Sequence, residues 1–210
     1  GTFIFRMKYL KQILTVAICL TAIIGDYIVF KSKFSQFQVF RAFSDSLVHL
    51  SIGFLSSLLF FSYEMNVNKF AYIMNVLFCT FMSSVIDIDH VFVAKSFMLK
   101  DMTNLKQRGI FHCTTFWLSI TSLLLLYSYV AKKLNIYMLT FMLIIAYTSH
   151  HIRDANRRGL WLYPFGHTPP IAKAIYVSLI AILPHIFAYL YKCTEEAMYK
   201  HTVITFKMTV

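Results

Sequence analysis

The sequence predicts an all-α fold, a transmembrane bundle of about six spans, or five, forming one integral membrane domain over residues 1–210. Three observations predict it. Hydrophobic residues make up 58% of the chain and charged residues 14%, whereas water-soluble domains carry about a quarter charged residues. The apolar residues are gathered into blocks long enough to cross a bilayer, separated by short basic stretches. None of the blocks shows the alternation of a membrane strand, so helices are the way left to satisfy the backbone in lipid.

The first span, 10–30, is interrupted only by Lys11 and Gln12 near its start and Asp26 near its end. The second, 47–63, mixes Leu and Phe with serines, and the third, 70–93, is apolar until Asp87, Asp89 and His90. The fourth, 111–131, and fifth, 136–151, are separated by a tight basic turn. The sixth, 171–191, follows Pro169 and Pro170, which close the preceding connection, and Pro184 inside it is expected to kink it. A polar tail, 192–210, completes the chain, and there is no internal repeat.

The formal charge is +11. Lys and Arg lie in the connections and form neither an amphipathic stripe nor a basic tail, so anionic lipid headgroups rather than nucleic acid are the expected partners. No protein partner is indicated. Basic residues divide almost evenly between the two sides of a six-span arrangement, which leaves orientation unassigned. The location expected is an endomembrane. Cys19, Cys79, Cys113 and Cys193 show no CxxC spacing and read as buried thiols, so neither a disulfide framework nor a thiolate zinc site is favoured.

The informative residues are carboxylates and histidines at the ends of the apolar blocks, where desolvation makes a charge costly unless it has a partner, a metal or water. They form four clusters: Asp45 with His49; Asp87, Asp89 and His90; Arg108 with His112; and His150, His151 and Asp154. In an alternating bundle these open the second span, close the third, open the fourth and close the fifth. All four therefore lie on one membrane face. Asp45 and His49, Arg108 and His112, and His150 and Asp154 are each four residues apart, so each pair shares a face if its segment is helical. Asp87 and Asp89 share one only if the third helix ends there and the chain extends. His90 faces outward or serves as a reserve ligand.

Asp carboxylates with neutral imidazoles are a donor set for a divalent ion such as zinc, manganese or iron, with room for two ions. Such an ion lowers the pKa of a bound water and polarises a phosphoryl or carbonyl oxygen, and the planar fork of Arg108 suits a phosphate. A structural ion-pair network is the competing reading of the same residues. Asp26 reads as a helix-end residue, His185 as a satisfied core histidine and His201 as a solvated residue of the tail. Trp161, Tyr163 and Phe165 read as an interfacial aromatic belt around a turn shaped by Gly159, Pro164 and Gly166.

Five motifs carry a family resemblance: HxxxG at His49 to Gly53, DxDH at Asp87 to His90, RGxxH at Arg108 to His112, SHxxxD at Ser149 to Asp154, and the following Gly159 to Phe165. Their order resembles the membrane-bound metal-dependent hydrolases of the YdjM type. The runs SVIDIDH, VAKS, SHHIRD and GLWLYPFG are also similar to the transmembrane protein 267 family, from about residue 43 to 186. Ile86 stands where the bacterial pattern has Pro, and Gln107 where it has His. The resemblance implies metal ligation by His49, Asp87, Asp89, His112, His150 and Asp154, with Asp89 and Arg108 serving the reaction. The function expected is a membrane protein binding a divalent metal and hydrolysing a lipid or phosphoester. The alternatives are an ion, proton or small-solute transporter and a non-catalytic scaffold; haem ligation would leave the Asp residues without a role.

Overall fold

The computed structural model describes the backbone of residues 2–90, 95 and 108–207, and the side chains within 9–90, 95 and 108–198. VAKS, apart from Lys95, lies outside the described residues, as do Gln107 and the end of the third expected span; so does the side chain of His201.

Among the described residues six α-helices follow one another: α1 (Thr2–Phe30), α2 (Gln38–Phe61), α3 (Lys69–Val85), α4 (Thr114–Val130), α5 (Leu134–Arg158) and α6 (Lys173–Lys207). Among the described residues there is no strand, only isolated bridges joining Trp161 to Cys113 and His167. Segments Tyr9–Phe30, Gln38–Phe61, Lys69–Ile88 and Lys173–Met198 have the length and apolarity to cross a membrane, and α4 is a shorter apolar helix. α5 carries the polar cluster at its C-terminal end and is the centre of the bundle, packing against α2, α3, α4 and α6, with α1 closing over α2 and α6.

Burial explains the arrangement. Tyr137, Phe141, Met142 and Ile145 of α5 pack with Phe60 and Tyr191, while Ile18 and Ala22 of α1 pack with Ile52, Leu59, Tyr176 and Ile180. Outward, Ile13, Val16, Leu20, Phe70, Phe81, Leu123 and Leu126 are exposed. That apolar exterior is the solvent-facing surface of a helix bundle in lipid.

Where helices approach closely, glycine permits it. A Cβ on Gly53 of α2 would lie 1.8 Å from the Ser83 hydroxyl of α3. The HxxxG spacing thus sets His49 and the α2–α3 contact on one face.

Four local expectations change. α2 begins at Gln38, well before the apolar block, because its early turns carry the half-polar face that holds Ser44, Asp45 and His49. α3 tightens into a 3-10 turn at Ile86–Ile88 instead of extending. Arg108 and His112 do not share an α-helical face, since Gly109 is extended and a 3-10 turn, Ile110–His112, precedes α4. The cysteines are free, with Cys79 and Cys113 buried but Cys193 exposed, since it lies on an outward face of α6. Pro184 sits within α6, which remains one helix.

Candidate functional site

The end of α3, the start of α4 and the C-terminal part of α5 bring four side chains to one point. One ligand atom each of Asp87, His112, His150 and Asp154 lies within 4.8 Å of the others. Asp87 Oδ1 is 3.3 Å from both His112 Nε2 and His150 Nε2. Asp154 Oδ2 is 3.4 Å from His150 Nε2, its neighbour one turn back on α5, and 3.7 Å from His112 Nε2.

The far ring nitrogens are spent elsewhere. His150 Nδ1 donates to the Ser83 carbonyl at 2.6 Å, and His112 Nδ1 donates to Asp89, with both carboxylate oxygens at 3.0 Å. Each imidazole is thus fixed with Nε2 toward the two carboxylates, the arrangement by which outer partners orient metal-binding histidines. Among the described residues His150 Nε2 is buried without a hydrogen-bond partner.

Asp87 and Asp89 reach opposite edges of one ring because the 3-10 turn separates them. Gly109 makes room for the second: a Cβ there would sit 2.3 Å from Asp89 Oδ2. Burial lowers the pKa of the His112 imidazolium, but the hydrogen bonds to Asp87 and Asp89 outweigh it and push it up to about 9. His90 stacks on His112 with ring centroids 4.9 Å apart, and burial lowers its pKa.

His49 stacks face to face on His150 at 3.7 Å, with Nε2 3.5 Å from Asp154 Oδ1. That nitrogen also accepts from Arg153 Nη1 at 2.9 Å. Arg153, fully buried, lies 2.7 Å from Asp45 through Nη1 and donates through Nε to Asp26 at 3.1 Å. Asp26 further accepts from the Tyr176 hydroxyl. Asp26 is therefore a buried member of the polar network and not a simple helix-end residue, since α1 delivers it against the arginine of α5.

Sequence reasoning passed over Arg153 and Tyr176. The signal for Arg153 was its place three residues after His150, which puts it on the same side of α5; Tyr176 gave none within a continuous apolar helix.

Around the mouth, Arg157 pairs with Asp154 at 2.7 Å. Arg108 donates to the Gly159 carbonyl at 3.0 Å, and burial lowers its pKa. Arg108, His112, Thr114, His151, Asp154, Gly159, Leu160 and Trp161 line a shallow cleft. His151 is committed to structure, using Nδ1 with the Thr114 hydroxyl at 2.9 Å and Nε2 with the Phe111 carbonyl at 2.8 Å. The loop after α5 docks there through Thr114 N–H to the Trp161 carbonyl, leaving Tyr163 and Phe165 exposed at its tip. His185 lies outside this centre, with its two nitrogens bonded to Thr15 and Tyr63 hydroxyls at 2.8 and 2.7 Å.

No protein-family profile matches the chain, and no solved structure matches it. Curated relatives do. The chain is 36% identical to transmembrane protein 267 of Mus musculus over 151 residues, covering 71% of this chain and 68% of that protein. It is also 36% identical to transmembrane protein 267 of Xenopus laevis over 165 residues, covering 78% and 74%. Against transmembrane protein 267 of Danio rerio the identity is 37% over 147 residues, covering 70% and 65%. Sequence kinship and the long apolar helices together make this chain a multi-pass helical membrane protein that belongs to the transmembrane protein 267 family.

Proposed function

We propose that the protein binds a divalent metal ion through Asp87, His112, His150 and Asp154 at one membrane face, and hydrolyses a phosphoester of a lipid there. The observation that carries the reading is His150 Nε2. Its Nδ1 donates to Ser83, so Nε2 is the nitrogen left to face oxygens of Asp87 and Asp154, at 3.3 and 3.4 Å, with no hydrogen-bond partner among the described residues. Two buried carboxylates around that nitrogen require a cation between them, a proton on the ring in the metal-free protein or a divalent ion in its place. Two imidazole nitrogens and two carboxylate oxygens suit zinc, manganese or iron.

When bound, such an ion supplies Lewis acidity and a water acidified toward neutral pH. The chain's own residues do the rest: Asp89 orients His112, Arg157 holds Asp154, and Arg108 presents its remaining donors to a phosphate at the cleft. The likeness of the five motifs to the YdjM-type hydrolases supports hydrolysis. Exposed Tyr163 and Phe165 beside the cleft suit the headgroup layer, which supports a lipid substrate.

Metal analysis of detergent-purified protein beside a variant with Asp87→Ala and Asp89→Ala tests the first half. Stoichiometric metal in the wild type and little in the variant is expected; equal, negligible metal in both would reject the reading. Release of phosphate or headgroup from phospholipid nanodiscs, stopped by a chelator, tests the second.

A further inference from the structure

A second group of donors lies beside the first. One ligand atom each of Asp45, His49 and Asp87 falls within 4.8 Å of the others, and Asp87 belongs to both groups. Adjacent sites sharing a carboxylate are how two-metal centres place ions about 3.5–4 Å apart. Here, however, a cation is already at the second group. Arg153 Nη1 is 2.7 Å from Asp45 Oδ1 and 2.9 Å from His49 Nε2, and Nε is 3.1 Å from Asp26. The guanidinium only donates, so His49 Nε2 must accept with the lone pair a metal would need.

We propose that the guanidinium of Arg153 takes the second cation position of this centre, so that the protein holds one divalent ion beside a fixed organic cation instead of two ions. The inference rests on the metal reading above and specifies its stoichiometry. Charge and solvation agree with it. Arg153 is fully buried and stays protonated, and a divalent ion at Asp45 and His49 would stand at near-contact distance from it. Among the described residues Nη2 is buried without a hydrogen-bond partner. That nitrogen keeps two N–H donors inside the polar centre, where an unmet donor is costly; an anionic substrate oxygen is the chemistry that would meet them.

Zinc titration of metal-free, detergent-purified full-length protein, read by elemental analysis, tests the proposal. The wild type should bind one equivalent and Arg153→Ala two, with the second lost when Asp45→Asn is added. Arg153→Lys, which keeps an organic cation, should remain at one. Circular dichroism and gel filtration report whether each variant folds. Because Arg153→Ala leaves buried carboxylates unpaired, Arg153→Ala with Asp26→Asn provides a variant with less uncompensated charge and the same expected second equivalent.

Two equivalents in the wild type, falling to one in Asp45→Asn, would overturn the proposal without touching the metal reading. One equivalent in folded Arg153→Ala would do the same. No zinc in the wild type but one equivalent in Arg153→Ala, lost again with Asp45→Asn, would reject the four-ligand reading and with it the one-ion stoichiometry proposed here. No zinc in any variant would overturn both.

Discussion

Asp89 grips His112 by Nδ1, with both carboxylate oxygens 3.0 Å away, while Nε2 of the same ring faces Asp87. The carboxylate sets which nitrogen is free and how basic it is. Asp89→Asn keeps the size and an accepting oxygen but removes the charge. Metal affinity is expected to fall about 10–100-fold, the range for outer partners of ligating histidines. Asp87→Asn, which removes a ligand, should cost more. Isothermal titration with zinc in detergent measures both, and equal affinities for wild type and Asp89→Asn would show that His112 needs no such partner.

The same carboxylates make the metal-free protein sensitive to pH. The pKa of His112 is up to about 9 in the folded protein against an ordinary 6.5. A raised pKa in the folded state contributes stability that is fully present below 6.5 and lost as pH rises through 9. Thermal unfolding of metal-free protein should therefore show the His112 contribution declining between those values, and His112→Gln should remove that slope. Metal binding requires the neutral ring, so zinc should release protons near neutral pH in the wild type and fewer in the variant. Potentiometric titration during zinc addition counts them.

Helix packing supplies an independent prediction. A methyl group on Gly53 would meet the Ser83 hydroxyl at 1.8 Å and the Ser83 Cβ at 2.6 Å, at a buried contact between two packed helices. Overpacking of this kind costs roughly 1–3 kcal/mol. Gly53→Ala should lower the unfolding temperature in detergent. It should also weaken metal binding, because Ser83 carries the carbonyl that holds His150 Nδ1. A stability loss with unchanged zinc affinity would show that the α2–α3 approach and the orientation of His150 are independent.

Much of this centre is legible in the amino-acid order, for a physical reason. Charges are excluded from the apolar blocks, so Asp and His at block ends stand out, and the alternation of spans brings the ends of α2, α3, α4 and α5 to one side. His150 and Asp154 obey the helical spacing, with Nε2 and Oδ2 3.4 Å apart. What the order hides is whatever depends on backbone departures and on charge inside the bundle. The 3-10 turn at Ile86–Ile88 sends Asp87 and Asp89 to opposite edges of His112, which no α-helical or extended spacing predicts. Arg153 reads as one more basic residue of a connection because the apolar block stops at His151. In the folded chain α5 continues to Arg158 and buries it against Asp26 and Asp45. His151 shows the converse: it sits inside the motif but spends both nitrogens on Thr114 and Phe111.

The metal and structural readings of the cluster disagree most sharply about His112 and His185. His112 offers Nε2 to two carboxylates and has its other nitrogen fixed by Asp89. His185 has a hydroxyl on each nitrogen, from Thr15 and Tyr63, and neither is left for a metal. Glutamine keeps a polar group of similar reach at either position but removes an imidazole ligand only at the first. If the centre binds a divalent ion, His112→Gln should reduce metal content to about one-tenth of the wild type or less, because losing a ligand exceeds the 10–100-fold cost of losing an outer partner. The bundle, held mainly by apolar packing, should still fold. His185→Gln should retain full metal while losing about 1 kcal/mol from a weakened hydrogen-bond pair. Elemental analysis and thermal unfolding on the same detergent preparations separate the outcomes. Metal loss in His185→Gln but not in His112→Gln would place the ion elsewhere in the bundle, and loss in neither would leave the cluster as a network of ion pairs.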